Sequence, residues 1–97
     1  MRLDVFGYAL YLAQAGRKHG QARPLRGFGS ADVLEIVEDR DGNAYRAIYT
    51  IQIATHVFVL HVFQKKSKRG IATPKADMHL IELRLNAARR IAKELRK

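Results

Sequence analysis

Cysteine and tryptophan are missing from this chain, proline occurs only twice, and nine acidic residues face eighteen lysines and arginines. Without cysteine there is no disulfide framework and no thiolate zinc site. The four histidines, His19, His56, His61 and His79, include no pair at metal-ligand spacing, so neither a metal nor another cofactor is expected. There is no glycine-rich phosphate loop, no paired-carboxylate constellation and no nucleophile elbow. Long apolar runs are also lacking. Gln52, His56 and His61 interrupt the richest region, which falls short of the roughly 18 residues a spanning helix needs. The opening "MRLDVFGYALYLAQAG" is unlike a secretory signal, because Asp4 comes early and the apolar residues fall at helical intervals. These absences lead us to expect a cytoplasmic protein with no membrane partner.

The deficit of acid leaves a net charge of +9 on 97 residues. A chain of this length forms one small domain over 1–97 with a modest core, so each long apolar segment should belong to that core. The charge excess raises the local concentration of polyanions, which points to nucleic acid or to an acidic protein partner.

Residues 3–15 place Leu3, Phe6, Leu10 and Ala13 on one helical stripe, ended by Gly16. Residues 17–30 form a connector rich in glycine and cations, pinned to the core by Leu25 and Phe28. "VLEIVED" then reads as a strand, and "DRDGNA", with Asp41-Gly42-Asn43 at its centre, as a tight turn. In the strand "AYRAIYTIQIA", Tyr45, Ala47 and Tyr49 share one face while Arg46, Ile48 and Thr50 share the other. Ala54, Thr55 and His56 turn into "VFVLHVFQ", apolar enough for a central strand covered on at least one side. Short links imply an antiparallel meander. Thr73 suits an N-cap and Pro74 the first position of a helix whose stripe is Met78, Ile81, Leu85, Ala88, Ala92 and Leu95. The expected class is α+β: an antiparallel sheet of three strands, or four, packed by an N-terminal and a C-terminal helix.

Four features carry candidate chemistry. Lys65, Lys66, Lys68 and Arg69 sit together in "KKSKR", with Gly70 next to them. They would supply phosphate contacts, or would equally serve as a solvated strand end that discourages aggregation. Arg46 stands in an otherwise apolar strand, either to meet a phosphate or to pair with Glu35 or Glu38 on the neighbouring strand. His61 lies within a strand and reads first as a satisfied core imidazole, with general acid–base work as the alternative. The last helix, from Lys75 on, carries seven cations against three acids, for a nucleic-acid surface, a partner surface or a solubilising face.

The blocks "GYALYLAQAG", "PLRGFGSADVLEI", "YRAIYT" and "FVLHVFQKKSKRGIATPKADM" follow one another as in the phage-derived, HigB-like branch of the RelE/ParE toxin superfamily, and the resemblance covers nearly the whole chain. It implies a RelE-like fold and a toxin of a type II toxin–antitoxin system. RelE and HigB members cut mRNA on the ribosome without a metal, and a helix-turn-helix antitoxin neutralises them. The resemblance therefore implies an endoribonuclease that inhibits translation, with mRNA, ribosome and antitoxin as partners. Arg46 matches the family's strand arginine, and Lys65 and Lys66 match its basic pair. With His61 they are the catalytic candidates, and Arg46, Lys65, Lys66, Lys68 and Arg69 the RNA contacts. Leu34, Glu35 and Ile36 occupy a strand where RelE-type nucleases often carry lysine, so a lysine base from that strand is not expected. Family members begin with a further strand and helix start ahead of the "GYAL" block. The chain is accordingly expected to lack that strand, leaving a sheet edge that invites a homodimer or pairing with a partner strand. Two other activities fit the same fold: a ParE-like, non-nucleolytic inhibitor of a topoisomerase, and an inactive remnant that only binds RNA or a partner.

Overall fold

The computed structural model describes residues 5–29, 31–40, 42–65 and 73–96. Helix α1 spans Val5–Gln14, and strands β1 to β4 span Arg23–Pro24, Val33–Arg40, Asn43–Thr50 and Val59–Lys65. Helix α2 spans Lys75–Leu95. The strands form one antiparallel sheet in the order β1-β2-β3-β4. The α+β class and the two flanking helices follow the sequence expectation, and the fourth strand is β1, a two-residue piece of what reads as a connector. It pairs Arg23 with Glu35 and Pro24 with Leu34.

Strand alternation sorts the core into two layers. Leu34, Ile36, Ala47 and Tyr49 meet Ala9 and Ala13 of α1 on one face. Val33, Ile48 and Leu60 meet Ile81, Leu85 and Ala88 of α2 on the other. The helix stripes fit those layers, except that Leu95 is exposed and Leu3 lies outside the described residues. Helix α1 ends as its glycine predicts. Gly16 has φ +77, Arg17 N–H donates to the Leu12 carbonyl at 2.7 Å, and Gly16 N–H donates to that of Ala13 at 3.0 Å. At its start, the buried Glu38 carboxylate accepts the Val5 N–H at 2.8 Å, placing negative charge at the positive helix end.

One sequence expectation changes. "VFVLHVFQ" is not a central strand: β4 is the last strand of the sheet, and its Val59 and Val62 are half exposed. Its apolar composition serves α2 on one face only. The turn before it is built without glycine, since Ala54 and Thr55 both have positive φ, at 52 and 65. Reciprocal hydrogen bonds between Ile53 and His56, at 2.7 and 3.0 Å, hold this strained pair in place. Arg40 pairs with Asn43 across the β2–β3 turn, whose Asp41 lies outside the described residues, as does Lys97 at the chain end.

The register breaks once. Ile48 pairs with His61 and Tyr49 with Val59, so Leu60 is the extra residue of a β-bulge. Consecutive residues Leu60 and His61 consequently both meet α2, which strict alternation forbids.

Candidate functional site: a row of Arg46, Phe63 and His61 beside the C-terminal helix

Arg46 leaves β3 on the α2 face of the sheet, where Phe63 is its cross-strand partner and His61 lies two residues further along β4. The three side chains form a row. The Arg46 guanidinium carbon lies 5.8 Å from the centre of the Phe63 ring, and the Phe63 ring stacks on the His61 imidazole at 4.9 Å. A cation over an aromatic face is attracted by the ring quadrupole, so Phe63 joins the two polar groups energetically as well as sterically.

The Arg46 end is closed. Only 2% of the residue is exposed. Its Nη1 lies 3.1 Å from Glu35 Oε2 and donates to Thr73 Oγ1 at 2.8 Å. Its Nε finds no partner among the described residues. Of the two acids the sequence allows as partners, register selects Glu35, because Glu35 pairs with Ile48 and shares the Arg46 face, whereas Glu38 points the other way, to α1. The ion-pair alternative thus describes the geometry, and a direct phosphate contact would require Arg46 to give up Glu35. Thr73 is not the helix N-cap expected of it. Pro74 holds that position without a side-chain cap among the described residues, and the Thr73 hydroxyl is spent on Arg46.

The His61 end is partly exposed. The imidazole side chain is 13% exposed, and both ring nitrogens are engaged: Nε2 lies 2.7 Å from Asp77 Oδ1, and Nδ1 lies 3.0 Å from Arg84 Nη1. Arg84 Nη1 also donates to the Leu60 carbonyl at 2.8 Å, the group that the bulge turns toward α2. A carboxylate can only accept and a guanidinium can only donate, so this pair of partners selects a neutral ring with its proton on Nε2. Neither reading of His61 from sequence includes Asp77 or Arg84. Their seven-residue spacing, two turns of one helix, is the signal that could have found them.

Lys65 is the last residue of β4, paired with Ala44, so the cationic loop begins on the strand that carries His61 and Phe63. Lys66, Lys68, Arg69 and Gly70 lie outside the described residues. The other histidines are elsewhere: His19 packs edge-on against Tyr8, His56 bonds to Ala54 within its turn, and His79 is exposed on α2. A separate groove of about 620 Å³ runs between Gly27–Gly29 and α2, lined by Lys75, His79 and Arg89 among others. Among the described residues no helix is long and apolar enough to cross a membrane.

The geometry is thus a buried, neutralised arginine coupled through a ring to an oriented, partly exposed imidazole with both nitrogens engaged. Such an imidazole can exchange a proton with a bound group once one nitrogen is freed. No curated protein and no solved structure matches this chain. A family model does match it over residues 2–86, and the chain belongs to the family of phage-derived proteins described as Gp49-like (DUF891), a family of RelE/HigB-like toxin type.

Proposed function

We propose that this protein is the toxin of a type II toxin–antitoxin system and that it cuts mRNA in the ribosomal A site. The observation that carries the reading is the Arg46–Phe63–His61 row, whose Phe63 and His61 stand on the strand that ends at Lys65, where the cationic segment begins. Cleavage by a ribose 2′-hydroxyl on its adjacent phosphate needs a phosphate-binding surface, stabilisation of added negative charge and a group that takes the 2′ proton. Lys65, Lys66, Lys68 and Arg69 provide the first two, and His61 is the proton acceptor. Arg46 fixes the floor of the site by tying β2, β3 and Thr73 together.

The partner that silences the toxin is a helix-turn-helix antitoxin. Apolar surface suited to it is present at the open edge of the sheet, where Val59 and Val62 are half exposed, and on α2, where Leu83, Ile91 and Leu95 are half exposed. Two copies of a chain of charge +9 repel one another, so the edge favours an acidic partner over the homodimer.

Expressed alone in cells, the protein should arrest growth and leave mRNA cut at positions in register with codons. Arrest with intact mRNA would reject the nuclease reading, and accumulation of cleaved DNA–gyrase complexes during that arrest would assign the ParE-like activity instead.

A further inference from the structure

We infer that Asp77 and Arg84 are positioning residues for His61, with Asp77 fixing the proton on Nε2 and Arg84 covering the Nδ1 lone pair until an RNA phosphate draws the guanidinium away. The inference deepens the nuclease reading and rests on it for the identity of the substrate.

Three distances carry it. Asp77 Oδ1 at 2.7 Å from Nε2 leaves Nδ1 as the only basic nitrogen of the neutral ring. Arg84 Nη1 at 3.0 Å occupies that nitrogen. The bond from the same Nη1 to the Leu60 carbonyl, 2.8 Å, ties the exposed Arg84 to the bulge. All three groups come from two elements, β4 and α2, that pack directly on one another. Both His61 and Asp77 keep some exposure, 13% and 27% of their side chains, so the cluster lies at the surface where a polyanion can reach it.

Arg84 holds its hydrogen bonds to two neutral acceptors, an imidazole nitrogen and a carbonyl. A phosphate diester is a charged acceptor that matches the guanidinium fork in two places, and such charge-assisted bonds are stronger. RNA bound at this cluster therefore competes for Arg84 and uncovers Nδ1. In the reaction that follows, Nδ1 takes the proton of the 2′-hydroxyl as its oxygen bonds to phosphorus. The bond from phosphorus to the 5′ oxygen breaks, that oxygen takes a proton from water, and the imidazolium gives its proton to the hydroxide left behind. Arg84, now on the phosphate, faces the added charge. The unbound protein holds its base covered, so water meets no active imidazole.

The test is ¹⁵N nuclear magnetic resonance of the His61 ring in the intact protein at alkaline pH. The expected wild-type spectrum places the proton on Nε2 and shows Nδ1 as a hydrogen-bond acceptor. In Arg84→Ala the Nδ1 resonance should shift toward that of a free acceptor with the proton still on Nε2, and Arg84→Lys should restore part of the shift. In the double variant Asp77→Ala with Arg84→Ala the preference for Nε2–H should be lost. Amide spectra of each variant report whether the fold survives, and Arg84→Lys preserves most of the packing should Arg84→Ala not. A proton on Nδ1 in the wild type, or an Nδ1 resonance that ignores both Arg84 substitutions, overturns the inference. Addition of a short oligoribonucleotide with fluorine in place of its 2′-hydroxyls, which cannot be cut, should move wild-type Nδ1 to the Arg84→Ala position, and no movement there overturns the release by phosphate. None of these readouts requires cleavage, so a protein that never cuts mRNA but shows the expected tautomer would sink the nuclease reading alone.

Discussion

Tyr49 is the residue whose burial has the plainest physical cost. It is 1% exposed in the layer under α1, and its hydroxyl has no hydrogen-bond partner among the described residues. Burial disfavours the phenolate and pushes the Tyr49 hydroxyl above its ordinary value of 10.0. The folded state keeps a proton that the unfolded chain surrenders near pH 10.0, so the stability tied to this group is complete below that pH and is lost as pH rises through the folded value. Tyr49→Phe removes an unsatisfied buried hydroxyl along with its titration. Urea unfolding should show the variant as stable as the wild type at neutral pH, or more stable by about 1 kcal/mol, with a shallower loss in alkali. The remaining tyrosines contribute equally to both proteins and cancel in the comparison, so equal alkaline slopes would contradict this account of Tyr49.

Across elements, the site depends on how β2, β3 and β4 align, and the Arg46–Glu35 pair is the contact that alignment makes. Removing one partner of a buried ion pair leaves an uncompensated charge, so Arg46→Ala should cost about 3–5 kcal/mol and reduce toxicity through the fold alone. Replacing both partners, Arg46→Met with Glu35→Leu, should keep most of the stability, because well-packed apolar pairs replace such bridges at little cost. Thermal melts of single and double variants check this. A double variant that folds but does not restrain growth would assign Arg46 a part in the chemistry, and one that folds and remains toxic would confine it to structure. Much of this level was legible beforehand, since period, glycine and turn chemistry mark both helices and the three longer strands. Three contacts were not. The β1 ladder is two residues long and carries no periodic signal. The bulge at Leu60 arises from a register shift between two strands, which neither strand encodes alone. Thr73 looks like a cap in sequence, yet its hydroxyl meets Arg46, 27 residues away. Arg46 and His61 stood out because polar groups in apolar strands must be explained. Asp77 and Arg84, on a helix full of charge, acquire meaning only once α2 is laid on β4.

At the scale of the molecule, the exposed side of α2 carries charge beside the apolar Leu83, Ile91 and Leu95. Cations crowd the exposed side of α2, at Lys75, Arg89, Arg90, Lys93 and Arg96, while half-exposed valines mark the sheet edge. A surface of this kind recruits a polyanion through many weak contacts and leaves specificity to the few groups at the site. The central claim is that those groups, His61 foremost, cleave RNA presented by the ribosome. Its most direct test is a reconstituted assay with purified ribosomes stalled on a defined mRNA, in which the ends of the message are mapped for the wild-type protein and for His61→Ala. The account predicts a cut within the A-site codon that ends in a 2′,3′-cyclic phosphate, slowed roughly 10²-fold or more by His61→Ala as the loss of a proton-transfer group requires. Ribosomes that bind the protein yet release uncut mRNA, or a His61→Ala variant that cuts at the wild-type rate, would contradict it.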